Sequence, residues 1–262
     1  MPVFGWRTHT MKYLRTTDLA RAAGVHPNTV RRYEQRGLLP PAERGANGYR
    51  RFTQRHVDCL RVARIVHMET YPGRAFRRSA SGILDCALAD DWEAALERGH
   101  EHLVFVRAER AQAEMAAALL ERWATDAGAE DDHPGACQLR VGQVAGLLGV
   151  SVDMLRNWER NGLITIARNA ENHYRVYRPA DISRLRVIRL LSRVGYSHMA
   201  ILRMMLQFDR GETANLRRAL DTPRQDEDVY TAADRWLSTL ATQEEVARRL
   251  VGLLEETARR HV

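Results

Sequence analysis

The fold class predicted is mainly α: two winged helix-turn-helix domains, each followed by a long helix, the two long helices pairing as an antiparallel coiled coil. Three observations predict it. The phrase "TVRRYEQRGLL" at Thr29–Leu39 returns as "MLRNWERNGLI" at Met154–Ile164, 125 positions later. The repeat extends without a gap from Leu14 to about Ile65, with about a third of positions identical, which marks an internal duplication. After each copy, apolar residues recur at spacings of three, four and seven, the signature of a helix seam.

Each element follows in order. Residues 1–11 read as an N-terminal extension, and 12–89 as the first winged domain. "TTDLARAAG" is a short helix with Thr16 or Thr17 as N-cap and Leu19, Ala20 and Ala23 on its apolar face. Gly24-Val25 is the turn. "HPNTVRRYEQR" is the reading helix, with Pro27 at its first position and Gly37 closing it where φ > 0 is cheap. "PPAERGANGYRRF" is a wing with a polar tip and an aromatic base, followed by a third helix capped by Thr53. Residues 90–125 form the first long helix, with Leu96, Leu103, Val106, Ala113, Ala117 and Leu120 along one side. Residues 126–138 are a polar linker.

The second winged domain spans 139–208, with Ser151 capping its reading helix, Gly162 ending it and Pro179 opening its third helix. A polar connector covers 209–228. Residues 229–262 are the second long helix, with Trp236, Leu240, Ala247, Leu250, Leu254 and Ala258 along its seam.

Composition points the same way. Formal charge is +7 and the sequence pI about 9.7, which favours an acidic polymer as partner. Lys12 is the one lysine, so placement of the arginines carries more information than their number. No run of 18 apolar residues exists and no signal peptide is read, so no membrane partner and a cytoplasmic, nucleoid-associated location are expected. Three scattered cysteines, Cys59, Cys86 and Cys137, form neither a disulfide framework nor a paired zinc motif. Cys86 reads as a buried apolar cysteine, since a thiolate metal site needs converging ligands. His100 and His102 fall on different faces of a helix. Trp92, Trp123 and Trp236 read as core. No cofactor or metal is expected. No acid, base or nucleophile constellation, P-loop or G-x-G-x-x-G appears, so the chain reads as no enzyme.

The ordered set of helix-turn-helix, R-x-aromatic-E-x-x-G-L, a wing ending Y-R-x-aromatic and an L-R-x-I-R-like third helix resembles the MerR family of bacterial transcription regulators. The likeness covers Tyr13 to about Met68 and Leu139 to about Phe208. "VGYSHMAILRMMLQFD" resembles that family's fourth helix. Copy one reaches its comparable "ILDCAL" about seven residues late, after Arg74, Arg77 and Arg78. The resemblance implies promoter DNA as partner, with RNA polymerase at the promoter and DNA twisted or bent to realign promoter elements.

The residues expected at DNA follow. In copy one they are Thr16, Thr17, Asn28, Thr29, Arg31, Arg32, Tyr33, Tyr49, Arg50 and Arg51. In copy two they are Asp153, Arg156, Asn157, Trp158, His173, Tyr174 and Arg175. Arg31, Arg32, Arg50 and Arg51 suit phosphates, since the planar guanidinium matches two oxygens. Asn28, Thr29 and Arg32 lie nearest the base edges. Tyr33 and Trp158 either touch the backbone or pack against the wing. Arg74, Arg77 and Arg78 offer extra phosphate contacts. Glu34 and Glu159 repel phosphates and instead brace an arginine of the wing or third helix.

Since one chain owns two rods, they pair with each other, and the chain is a dimer fused into one polypeptide. The expected function is sequence-specific regulation on an asymmetric duplex site, because the two reading helices differ. Further self-association is compatible with this. Two rivals are a constitutive architectural DNA-binding protein without effector, and a protein-interaction module with degenerate helix-turn-helix units.

Overall fold

The computed structural model describes residues 13–126, 138–223 and 232–261. The expected N-terminal extension, Cys137 and most of the expected linker lie outside the described residues, as does the end of the expected connector.

In the first head, Leu14 and Phe52 form an antiparallel bridge with N···O distances of 2.8 and 3.0 Å. This extended pairing fixes where α1 (Thr16–Ala23) begins. Its N-cap is therefore Arg15, whose N–H donates to Asp18 Oδ2 at 3.1 Å, and neither threonine caps as expected. Gly24 ends the helix in the left-handed region at φ +63°. His26 Nδ1 caps α2 (Pro27–Gln35) by accepting from Asn28 N. The wing is β1 (Glu43–Arg44) antiparallel to β2 (Arg50–Arg51), in the register Arg44 opposite Arg50. Then come α3 (Gln54–Met68) and α4 (Arg74–Leu88).

The rods are α5 (Trp92–Asp126) and α11 (Trp236–His261), the latter preceded by a 3-10 turn at Ala232–Arg235. Between them the second head repeats the plan as α6 (Val141–Leu148), α7 (Val152–Arg160), α8 (Pro179–Arg193) and α9 (His198–Asp209). Leu139 pairs with Tyr177, Ser151 Oγ caps α7 through Met154 N, and Pro179 opens α8. The cores correspond: Leu19, Val30, Phe52 and Leu60 are buried where Val144, Leu155, Tyr177 and Leu185 are. The wings do not match fully. Arg168 bridges Arg175, and Asn169 N donates to Tyr174 O, so the tip of copy two carries one more residue than the Gly45–Tyr49 tip of copy one.

One position shows how the copies diverged. Cys59 is fully buried in α3 and its thiol donates to Ala87 O of α4 at 3.4 Å. Burial pushes that thiol up to about 12, which makes it a packing group without thiolate reactivity. Its counterpart Arg184 ties α8 to the preceding turn through Leu163 O and to the end of α9 through a two-pronged pair with Asp209. Cys86, expected to be buried, is half-buried and lines a small cleft with Asp85, Asp91 and Arg98.

The chain divides into two compact units that cut across the repeat. One holds the residues up to Phe105 together with those from Glu244 onward; the other is Val106–Gln243. Within the first unit, Leu96 and Leu103 of α5 pack with Ala247 and Val251 of α11. Trp92 stacks on His261 at 5.1 Å, and a Cβ at Gly99 would meet Leu254 at 2.8 Å. Also there, the fully buried Asp58 of α3 accepts from Arg260 at 2.8 Å, from His261 at 3.2 Å and from Gln54 at 3.1 Å.

Within the second unit, Trp123 donates to Ser183 Oγ at 2.9 Å and packs on Phe208 at 4.5 Å. Trp92 and Trp236 are buried, as expected of core tryptophans. The polar stretch expected as a connector holds α10 (Leu216–Asp221), whose Leu216 and Leu220 are fully buried. Its C-terminal carbonyls are satisfied by Arg203, a buried arginine donating to Ala219 O at 2.6 Å and also to Asp234 O at 3.1 Å. Composition hid this helix because two leucines and one distant guanidinium do the work of a longer apolar run.

Two buried histidines give the first unit an acid limit. Burial holds His102 and His56 below their usual value of 6.5. Both therefore resist protonation in the folded state, while the unfolded chain takes up protons as pH falls through 6.5. Stability is full above that value and is lost below it, by up to about 1.4 kcal/mol per pH unit for each histidine until its folded pKa is reached. Denaturant titrations between about pH 7.5 and 5 should show this slope, and His102→Gln should remove its share. A first unit equally stable at both pH values would contradict this.

Candidate nucleic-acid interface

The second helix of each head, α2 and α7, is locked to its wing by the same device. Glu34 Oε2 accepts from Arg50 Nε at 2.7 Å, and Oε1 from Ala42 N at 3.3 Å, so one carboxylate of α2 holds both arms of the wing. In copy two, Glu159 Oε2 accepts from Arg175 Nε, again at 2.7 Å. The expectation that these glutamates brace a wing arginine is met in both heads. Each pair is partly shielded from water, and in each the arginine reaches the carboxylate through Nε.

Around this brace the first head forms a cleft of about 420 Å³ lined by Arg15, Thr16, Thr17, Arg31, Asn47, Tyr49 and Arg50. Five of the seven are expected from sequence. Arg15 and Asn47 are not, yet both recur in the duplication, as Arg140 and Asn172. Asn47 Oδ1 accepts from Tyr49 N at 3.2 Å, and Asn172 Oδ1 from Tyr174 N at 3.0 Å. The shared N-x-Y spacing is therefore a turn that holds the tyrosine outward. Tyr49 is 73% exposed and Tyr174 67%. Three guanidiniums converging on a notch with hydroxyl and amide donors suit a phosphodiester.

Asn28, Arg31 and Arg32 are exposed on α2 and Thr29 is half-buried, all outside the core. Arg51 lies over the Tyr13 ring at 5.1 Å, a cation–π contact that ties it to the wing base. In copy two Asp153 and Arg156 are exposed and paired at 3.3 Å. Asp153 stands where copy one has Asn28, so this head is less attractive to phosphate. Asn157 accepts from Asn161 through its carbonyl and side-chain oxygens. Arg74, Arg77 and Arg78 are exposed at the start of α4.

Two expected contacts are corrected. Tyr33 is 6% exposed and Trp158 2%, too buried to reach a DNA backbone, and Tyr33 meets His67 of α3 edge-on at 6.2 Å. Both belong to the core.

His173 has φ +56° at the wing tip, where copy one has Gly48 at φ +76°. A non-glycine residue pays about 1–2 kcal/mol there, partly offset by the unfolded-state freedom glycine would add. His173→Gly should therefore raise the stability of the second unit by about 0.5–1 kcal/mol, read by thermal unfolding. A fall in melting temperature would mean that the imidazole holds the tip.

Two segments match family models: residues 15–52 match the MerR family regulatory protein model, and residues 139–207 the MerR HTH family regulatory protein model. Both heads are MerR-type helix-turn-helix units. The transcriptional regulator CueR of Escherichia coli is 37% identical over 51 residues, covering 20% of this chain and 38% of that protein. The mercuric resistance operon regulatory protein of Bacillus cereus is 46% identical over 50 residues, or 19% of this chain and 37% of that one. Nodulation protein NolA of a Bradyrhizobium species is 26% identical over 126 residues, covering 42% and 53%. The matched stretches thus span about two-fifths to one-half of these relatives. No solved structure matches the chain. Among the described residues, no group of three or more metal-binding side chains is assembled, and no helix is long and apolar enough to cross a membrane.

Proposed function

We propose that the protein is a sequence-specific regulator of transcription that grips duplex DNA with both MerR-type units of a single chain. The observation that carries this reading is the duplicated brace. A glutamate of each reading helix holds the wing arginine, so that helix and wing form one rigid surface rimmed by exposed polar and cationic groups. The contacts of the first part of α5 with the last part of α11 support an antiparallel pairing of the rods within one chain, a pseudo-dimer. Asn28, Thr29, Arg31, Arg32, Asp153, Arg156 and Asn157 lie toward base edges and nearby phosphates. Tyr49, Arg50, His173, Tyr174 and Arg175 approach the backbone from the wings, and Arg74, Arg77 and Arg78 extend the phosphate contacts of the first head. Bending or twisting a promoter costs several kcal/mol, offset by phosphate contacts from two heads. RNA polymerase at that promoter is the expected downstream partner, in the cytoplasm.

The test is the mass of the complex in solution on a duplex selected from a random library. One chain per duplex, on a site with unlike halves, is expected. Two chains per site, or a perfect palindrome from the selection, would overturn the pseudo-dimer.

A further inference from the structure

The second reading helix carries a side chain that the functional reading leaves unused. Met154 is 44% exposed in the first turn of α7, while Leu155 and Trp158 of the same helix are buried. It follows Asp153 and shares a helix edge with Asn157 and Asn161, all three polar and on or near the surface. A thioether in that company gains nothing from water, yet 44% of the residue stays exposed. In the duplication it stands where copy one has Thr29, whose hydroxyl can bond a base edge; a methionine offers a base only flexible apolar contact. The apolar group that the major groove presents to a protein is the C5-methyl of thymine.

We infer that Met154 is a specificity-determining residue, reading a thymine methyl in the half-site of the second head. This rests on the DNA-binding reading above and sharpens it. The first head, with Thr29 at the same register, accepts a polar base edge there, so the two half-sites differ at this position. Asp153 beside it repels phosphate, which makes the second head depend more on base contacts and less on charge than the first.

The test replaces each thymine of the selected duplex by uracil, one at a time, which deletes only the methyl group. Affinity is measured by fluorescence anisotropy with the full chain. One replacement in the second half-site should weaken binding about threefold to fivefold, the worth of one buried methyl-sized group. Met154→Ala should bind more weakly overall and no longer distinguish thymine from uracil there. Met154 is exposed, so the variant folds normally. If no uracil weakens the wild-type chain, or if the loss persists undiminished in Met154→Ala, the inference is overturned while the DNA reading stands. A chain that selects no duplex at all overturns both.

Discussion

Arg260→Ala should destabilise the first unit by about 3–5 kcal/mol, the cost of leaving a buried charge without its partner. The carboxylate at risk is Asp58, with no exposed surface. Without Arg260 it keeps the Gln54 amide and His261, which is cationic only when protonated. The reverse deletion is milder. In Asp58→Asn, Arg260 still reaches solvent and still pairs with Glu256. The double variant Arg260→Ala with Asp58→Asn should therefore be more stable than Arg260→Ala alone, a coupling that chemical denaturation of the four proteins in a cycle would measure. If Arg260→Ala costs less than about 1 kcal/mol, the range of an exposed pair, the contact is a surface one in solution. Failure of Asp58→Asn to rescue would mean that packing, not charge, holds that corner.

Removing both wing arginines should produce the second large effect. Arg50→Ala with Arg175→Ala is expected to weaken DNA binding about 100-fold or more, at about 1.5–3 kcal/mol for each charge-assisted hydrogen bond removed. The salt slope should fall by about 1.8, since each phosphate contact contributes about 0.9. Each arginine braces the wing, and the proposed function gives it a second role, meeting phosphate. Glu34→Gln with Glu159→Gln separates them, because it weakens the brace and keeps the cation. That variant should lose less affinity and keep its salt slope. Equal loss in both variants with an unchanged slope would make the arginines braces alone.

Much of this is legible in the sequence because duplication supplies an internal control. A residue kept at both Glu34 and Glu159, or at both Gly37 and Gly162, appears twice in the same role. The brace, the glycine helix ends and the reading helices follow from that. Asn47 and Arg15 carry the same signal but belong to no familiar motif, so recurrence alone does not single them out. Tyr33 and Trp158 are ambiguous for a physical reason. An aromatic ring on a short amphipathic helix looks the same from sequence whether it faces a sugar or a core, and only the position of the wing decides. The slipped tip of the second wing is hidden too, since the aligned sequences need no gap while Arg175 pairs one residue earlier, with Arg168 and not with Asn169. Asp58 lies beyond sequence reasoning, because its partners Arg260 and His261 stand 202 and 203 positions away.

That separation bears on how the molecule is made. The first head leaves the ribosome early, but the unit that contains it needs residues from Glu244 onward. The second unit, Val106–Gln243, is continuous and complete before them. Domains assemble as their segments emerge. The head synthesised first is thus finished last, its buried Asp58 lacking a guanidinium partner until Arg260 has emerged, and a chain stalled before that point would expose the uncompensated carboxylate to the quality-control machinery of the cell.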